Sequence, residues 1–131
     1  MIIDTNVYSA LDRADAKAVN IINNQEFVNL PVIVVAELRF GFLNGVKQKE
    51  NSLKLSRFLS QDNVNIVYIG VDTANVYAEL AVFAKKSGRV LANNDIWIAA
   101  LALENKIPLV TFDKDFSVFE SFLGKDLIIL E

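Results

Sequence analysis

Short, continuously apolar runs alternate along this chain with longer stretches in which apolar residues recur every three or four positions. Runs of four to eight apolar residues read as strands buried on both faces, and the three-to-four spacing reads as helices with one covered side. MIID (1–4) is the first strand, and Asp4, Thr5 and Asn6 offer capping side chains to a helix through VYSALDRA. A second short helix covers ADAKAVNIIN. The β-branched stretch FVNLPVIV then predicts a strand, and AELRFGFLN a helix that stops near Gly45.

In VKQKENSLKLSRFLSQ, Leu55, Phe58 and Leu59 take helical spacing opposite a lysine-rich face, and VNIVYI follows as a strand. VDTANVYAELAVFAKKSG predicts a helix with Val76, Leu80, Phe83 and Ala84 on one face, and NDIWIAALALENK a helix opening at Asn94 or Asp95. IPLV is a strand, TFDKDFSVFESFL a turn and short helix, and LIIL the last strand. This alternation predicts a mainly parallel sheet covered by helices on both faces, the three-layer α/β/α class. No repeat, low-complexity tract or linker interrupts it, and 131 residues suit one domain over 1–131.

Composition narrows the chemistry. Cysteine and histidine are both absent, which removes thiolate nucleophiles, zinc–thiolate sites and the commonest general base. Any metal site must therefore be oxygen-rich, which points to Mg²⁺ or Mn²⁺. No run reaches the roughly 18 apolar residues that a membrane span requires, nor does MIIDTN open a signal peptide, so a soluble cytoplasmic protein is expected. A net charge of −3 argues against nucleic-acid binding through a broad basic surface.

Against that background the placement of four acids stands out. In a parallel sheet the strands end on one edge, and ligands bind just outside it. Asp4 ends the first strand, Asp113 lies three residues beyond IPLV, Glu37 follows the second strand, and Asp95 opens a helix. Each has an ordinary explanation by itself: Asp4 and Asp95 suit helix N-caps worth about 1 kcal/mol, while Asp113 and Asp115 suit a turn. Together the ordinary explanation weakens, because Glu37 sits in the apolar context VVAELRFGF. Carboxylates gathered within about 6 Å of one another repel unless a cation neutralises them.

The order DTN, AELRFG, NDIWIAALAL and LVTFDKDF, at these separations and over nearly the whole chain, resembles the PIN-domain ribonucleases, and among them the VapC toxins of toxin–antitoxin pairs. The resemblance implies a sheet of about five parallel strands, a homodimer and a cognate VapB-like antitoxin that blocks the site. It implies that Asp4, Glu37, Asp95 and Asp113 are catalytic, with Asp4, Asp95 and Asp113 holding Mg²⁺ or Mn²⁺. Asn6 and Thr111 would support them by hydrogen bonds, and Asp115 would be a supporting or substitute ligand. Thr5 and Asn94 suit helix capping at least as well as a direct role.

The chemistry expected on that basis is cleavage of an RNA phosphodiester by water activated at the metal. An acidic pocket needs cations at its rim to hold RNA, and Arg39, Lys85, Lys86, Arg89 and Lys114 are the candidates. Trp97 and the phenylalanines could stack bases, but their helical spacing makes the core the expected place for them. A catalytically inactive PIN-like module that binds RNA or protein is the alternative. A haloacid-dehalogenase-like phosphatase fits less well, because its D-x-D motif meets Asn6 at the second acidic position. A response-regulator receiver would need an early acidic pair that this chain lacks.

Overall fold

The computed structural model describes all residues from Met1 to Glu131. Its elements run β1 (Ile2–Ile3), α1 (Thr5–Asp12), α2 (Ala16–Asn23), β2 (Val28–Pro31), α3 (Val32–Leu43), α4 (Gln48–Leu59), β3 (Val64–Val67), α5 (Val71–Lys86), α6 (Asn93–Asn105) and β4 (Leu109–Thr111). A 3₁₀ segment (Lys114–Phe119), α7 (Glu120–Leu123) and β5 (Leu127–Ile129) complete it. The sheet is parallel throughout, in the order β3-β2-β1-β4-β5.

That order fixes the layers. Crossovers between parallel strands are right-handed, so the connections β1 to β2 to β3, stepping one way, carry α1 to α4 over one face. The return from β3 to β4 and the step on to β5 carry α5, α6 and α7 over the other. The packing agrees, with α1 on α2 and α3, α3 on α4, and α5 and α7 on α6. The direction of travel reverses between β1 and β4, and their carboxyl ends open a crevice there.

The central strand β1 has only two residues, both fully buried, and is held on both sides. Ile2 N–H donates to Pro108 O at 2.7 Å, Asp4 N–H to Val110 O at 3.1 Å, and Met1 O accepts from Asn29 N–H at 2.8 Å. Helix α6 supplies much of the core, with Ile96, Ile98, Ala99, Ala100, Leu101 and Ala102 buried in one stretch. Burying side chains of the Leu and Ile class contributes about 1.5–3 kcal/mol each. The helix stops at Lys106, whose φ of 55° turns the chain left-handed, before Pro108 leads into β4.

Two expected boundaries move. The strand expected through FVNLPVIV ends at Pro31, and Val32 to Val35 are helical. Proline has no N–H to extend a sheet ladder and suits a helix start, so it divides an apolar run that composition alone reads as one strand. Likewise α1 begins at Thr5 rather than Val7, because Asp4 itself supplies the cap.

Candidate active site

The crevice between β1 and β4 gathers the acids. Asp4 follows β1 and is only 5% exposed. Its carboxylate accepts from Thr5 N–H at 2.7 Å, which caps α1, and its Oδ2 accepts from the Thr111 hydroxyl at 2.7 Å and from Asn6 Nδ2 at 3.2 Å. Capping and membership of the acid group are thus the same act. The Thr111 hydroxyl, fully buried at the end of β4, also accepts from Asp113 N–H at 2.9 Å. One hydroxyl therefore ties the acid after β1 to the acid after β4.

Asn6 ties the same two strands a second time. Its Oδ1 accepts from Phe112 N–H at 3.1 Å while its amide nitrogen reaches Asp4. Glu37 lies half-buried on α3, and its Oε1 accepts from the Thr5 hydroxyl at 2.7 Å. Thr5 is thus a positioning residue as well as a helix residue. The signal for it in the sequence was a hydroxyl adjoining Asp4, but its partner, 32 positions away, is visible only in the fold. Asp95 is the third residue of α6, half-buried, and Ala92 rather than Asp95 occupies the cap position.

The electrostatics record the convergence. Burial pushes the Asp4 carboxyl above its usual range; the Thr111 and Thr5 hydrogen bonds oppose the rise, and the charges of Glu37 and Asp113 add to it. Asp95 is pushed up to about 7, first by burial and then by Asp4, Asp113, Glu37 and Asp115 in turn. A carboxyl within electrostatic reach of four others ionises reluctantly. Asp115 is exposed at the rim, where its N–H donates to Asp113 Oδ1 at 2.9 Å and its carboxylate meets Arg89 at 3.8 Å.

The five candidate cations divide. Lys85 and Lys86 end α5, Arg89 follows them, and Lys114 adjoins Asp113; all four are exposed. Lys85 and Arg89 line a cavity of about 390 Å³ with Tyr77, Leu91, Asn93 and Ile96. Arg39 stands apart. Two positions beyond Glu37, it points to the other side of α3 and acts on Tyr8 of α1. Trp97, expected in the core, is instead half-buried outside it, its ring stacked on Tyr77 with centroids 4.1 Å apart.

Oxygen donors alone line the crevice, and their mutual repulsion is relieved by positive charge, which suits a hard divalent cation. No three of the carboxylates are already drawn together in metal-holding geometry.

Residues 1–120 match the family described as the PIN domain. The chain is 28% identical to "Ribonuclease VapC5" of Mycobacterium tuberculosis, covering 97% of this chain and 93% of the relative. It is 30% identical to "Ribonuclease VapC2" of Rickettsia felis, covering 83% of each. Among solved structures it is similar to VapBC2 from Rickettsia felis bound to a DNA fragment from their promoter. That likeness has a TM-score of 0.81 and 26% identity, and covers 98% of this chain and 96% of the other.

Proposed function

The chain belongs to the PIN-domain family, and from that premise we propose that it is a divalent-metal-dependent endoribonuclease of the VapC kind, the toxin of a toxin–antitoxin pair. The observation that carries the reading is the set of carboxylates drawn from β1, α3, α6 and the end of β4 to one crevice, where burial and like charge push Asp95 up to about 7. A structural role does not require that arrangement, since Asp4 alone caps α1.

Asp4, Asp95 and Asp113 would hold Mg²⁺ or Mn²⁺, with Glu37 beside them. When bound, such a cation neutralises charge on the phosphate and makes water acidic enough to attack it at neutral pH. The chain's own contribution is positioning. Thr111 and Asn6 fix the Asp4 carboxylate, Thr5 fixes Glu37, and the Asp113 backbone hangs from Thr111. Glu37, half-exposed and hydrogen-bonded to Thr5, would accept a proton from attacking water. Lys85, Lys86, Arg89 and Lys114 supply the rim cations that an RNA backbone requires beside an acidic pocket.

The partner follows from the relatives. A structure similar to this one is a VapBC complex, so a VapB-like antitoxin is the partner proposed here. Incubating the purified chain with single-stranded RNA and Mn²⁺ tests the activity: cleavage is expected, with loss on EDTA addition and in Asp4→Asn. Cleavage that survives full chelation overturns the metal assignment. No cleavage of any RNA, with RNA binding unchanged in Asp4→Asn, favours a non-catalytic binding module.

A further inference from the structure

Beside the acids, on the α3 side, lies a cavity of about 600 Å³ lined by Thr5, Ile33, Ala36, Glu37, Phe40 and Asn94. Its size falls in the range of about 300–1,000 Å³ common for small-molecule sites. We propose that this cavity is a nucleobase subsite, in which the Phe40 ring stacks on a base adjoining the scissile phosphate and the Asn94 amide meets that base's edge. The proposal rests on the ribonuclease reading above and adds to it where the substrate's bases go.

Three observations carry it. The cavity adjoins the catalytic crevice, because Glu37 and its hydrogen-bond partner Thr5, joined at 2.7 Å, form part of its wall. Ile33, Ala36, Glu37 and Phe40 make one stripe of α3, and side chains three apart on a helix stand roughly 5–6 Å from each other at Cβ, which places the Phe40 ring within a nucleotide's reach of Glu37. Phe40 is nevertheless 71% exposed, so the fold itself does not use its ring.

Charge selects the occupant. The only charged side chain lining the cavity is the carboxylate of Glu37, which repels a phosphate but tolerates a neutral, planar ring. Across the first turn of α6 the balance reverses: Asn93 and Ile96 face the other cavity, where Lys85 and Arg89 favour the anionic backbone. Asp95 lies between the two. A strand of RNA laid over Asp95 can therefore put sugar-phosphate on the α5 side and a base on the α3 side. Unstacked bases of single-stranded RNA are bound in this manner, by an aromatic face and by amides at the base edge. Stacking tolerates any base, so Phe40 sets affinity, while the amide of Asn94 discriminates between bases.

The test uses a labelled single-stranded RNA oligonucleotide that the wild-type chain cuts with Mn²⁺, and the same oligonucleotide with an abasic residue on one or the other side of the cut bond. On one side, base removal is expected to lower kcat/KM about tenfold, a loss in the range typical of base–aromatic stacking. Phe40→Ala should show that loss already with the intact oligonucleotide and no further loss with the abasic one, while Phe40→Trp keeps the wild-type pattern. In EDTA, titration of Phe40→Trp with the uncut RNA should quench tryptophan fluorescence beyond the quench that Trp97 gives in the parent. Thermal melting checks that Phe40→Ala is folded, as the exposure of the side chain leads one to expect. An unchanged intact-to-abasic ratio in Phe40→Ala, or no extra quench in Phe40→Trp, overturns the subsite. So does a Phe40→Ala chain that changes oligomeric state while cutting both oligonucleotides like the wild type. Should the wild-type chain cut no RNA, the ribonuclease reading fails, and the quench alone decides whether a base binds here.

Discussion

Replacing Asp95 by asparagine should make the metal-free protein more stable while abolishing cleavage. In the folded chain the Asp95 carboxyl is pushed from 3.8 up to about 7 by burial and by the neighbouring acids. At about 1.36 kcal/mol per unit, full conversion of that shift amounts to ~4 kcal/mol of destabilisation at pH 8. Asp95 is only half-buried, and solvent screening reduces the figure to ~2 kcal/mol. Asparagine also forfeits a negative charge in the first turn of α6, a loss of about 0.5 kcal/mol. The larger effect wins, leaving a gain of ~1.5 kcal/mol, or about 4–8 °C in Tm for a domain of this size.

The pH dependence carries the sign. Between about pH 4 and 7 the folded chain holds a proton on Asp95 that the unfolded chain has released, so this part of the stability is full below pH 4 and is lost as pH rises to 7. The asparagine side chain has no such proton, so the stability advantage of Asp95→Asn should open across that window and close below it. Differential scanning calorimetry in EDTA at pH 4 and pH 8 measures both. An Asp95→Asn protein that melts at or below the wild type at pH 8, or by the same margin at both pH values, refutes the crowding argument.

Thr111→Val keeps the shape but removes the hydroxyl that donates to buried Asp4 and accepts from Asp113 N–H. Leaving buried polar groups unpaired costs about 1–3 kcal/mol, readable as a lower urea midpoint, and kcat/KM should fall with it. Stability equal to the wild type would show that water replaces the hydroxyl. Thr5→Val separates the two effects: it frees Glu37, which is half-exposed and can turn to solvent. Its kcat should drop several-fold with Tm within about 2 °C, and an undiminished kcat would mean that Glu37 needs no anchor.

The sequence made the acids legible because their positions follow from strand endings, and strand endings follow from short apolar runs. Asp4 and Asp113 needed only the strands before them. What it hid was pairing at a distance. Nothing local distinguishes Thr5 as the anchor of Glu37, or shows that the Thr111 hydroxyl bridges two acids, because the first depends on the pairing of β1 with β2 and the second on the side-by-side register of Ile3 with Val110. The cations show the opposite failure. Arg39, adjacent to the acid motif in sequence, is turned away by helical geometry, while Lys114, from a different element, stands beside Asp113. At Pro31 composition misled because valine and isoleucine in the first turn of a helix look like a strand until the proline is weighed.

The position of β1 at the middle of the sheet also governs when the site can form during synthesis. During synthesis Ile2 and Ile3 leave the ribosome first, yet their neighbour on one side is residues 109–110. Until those residues emerge, Asp4 has neither the Thr111 hydroxyl nor Asp113 beside it, and α6 with Asp95 has no completed sheet to lie against. The acid group is therefore assembled only when the last third of the polypeptide closes on its beginning.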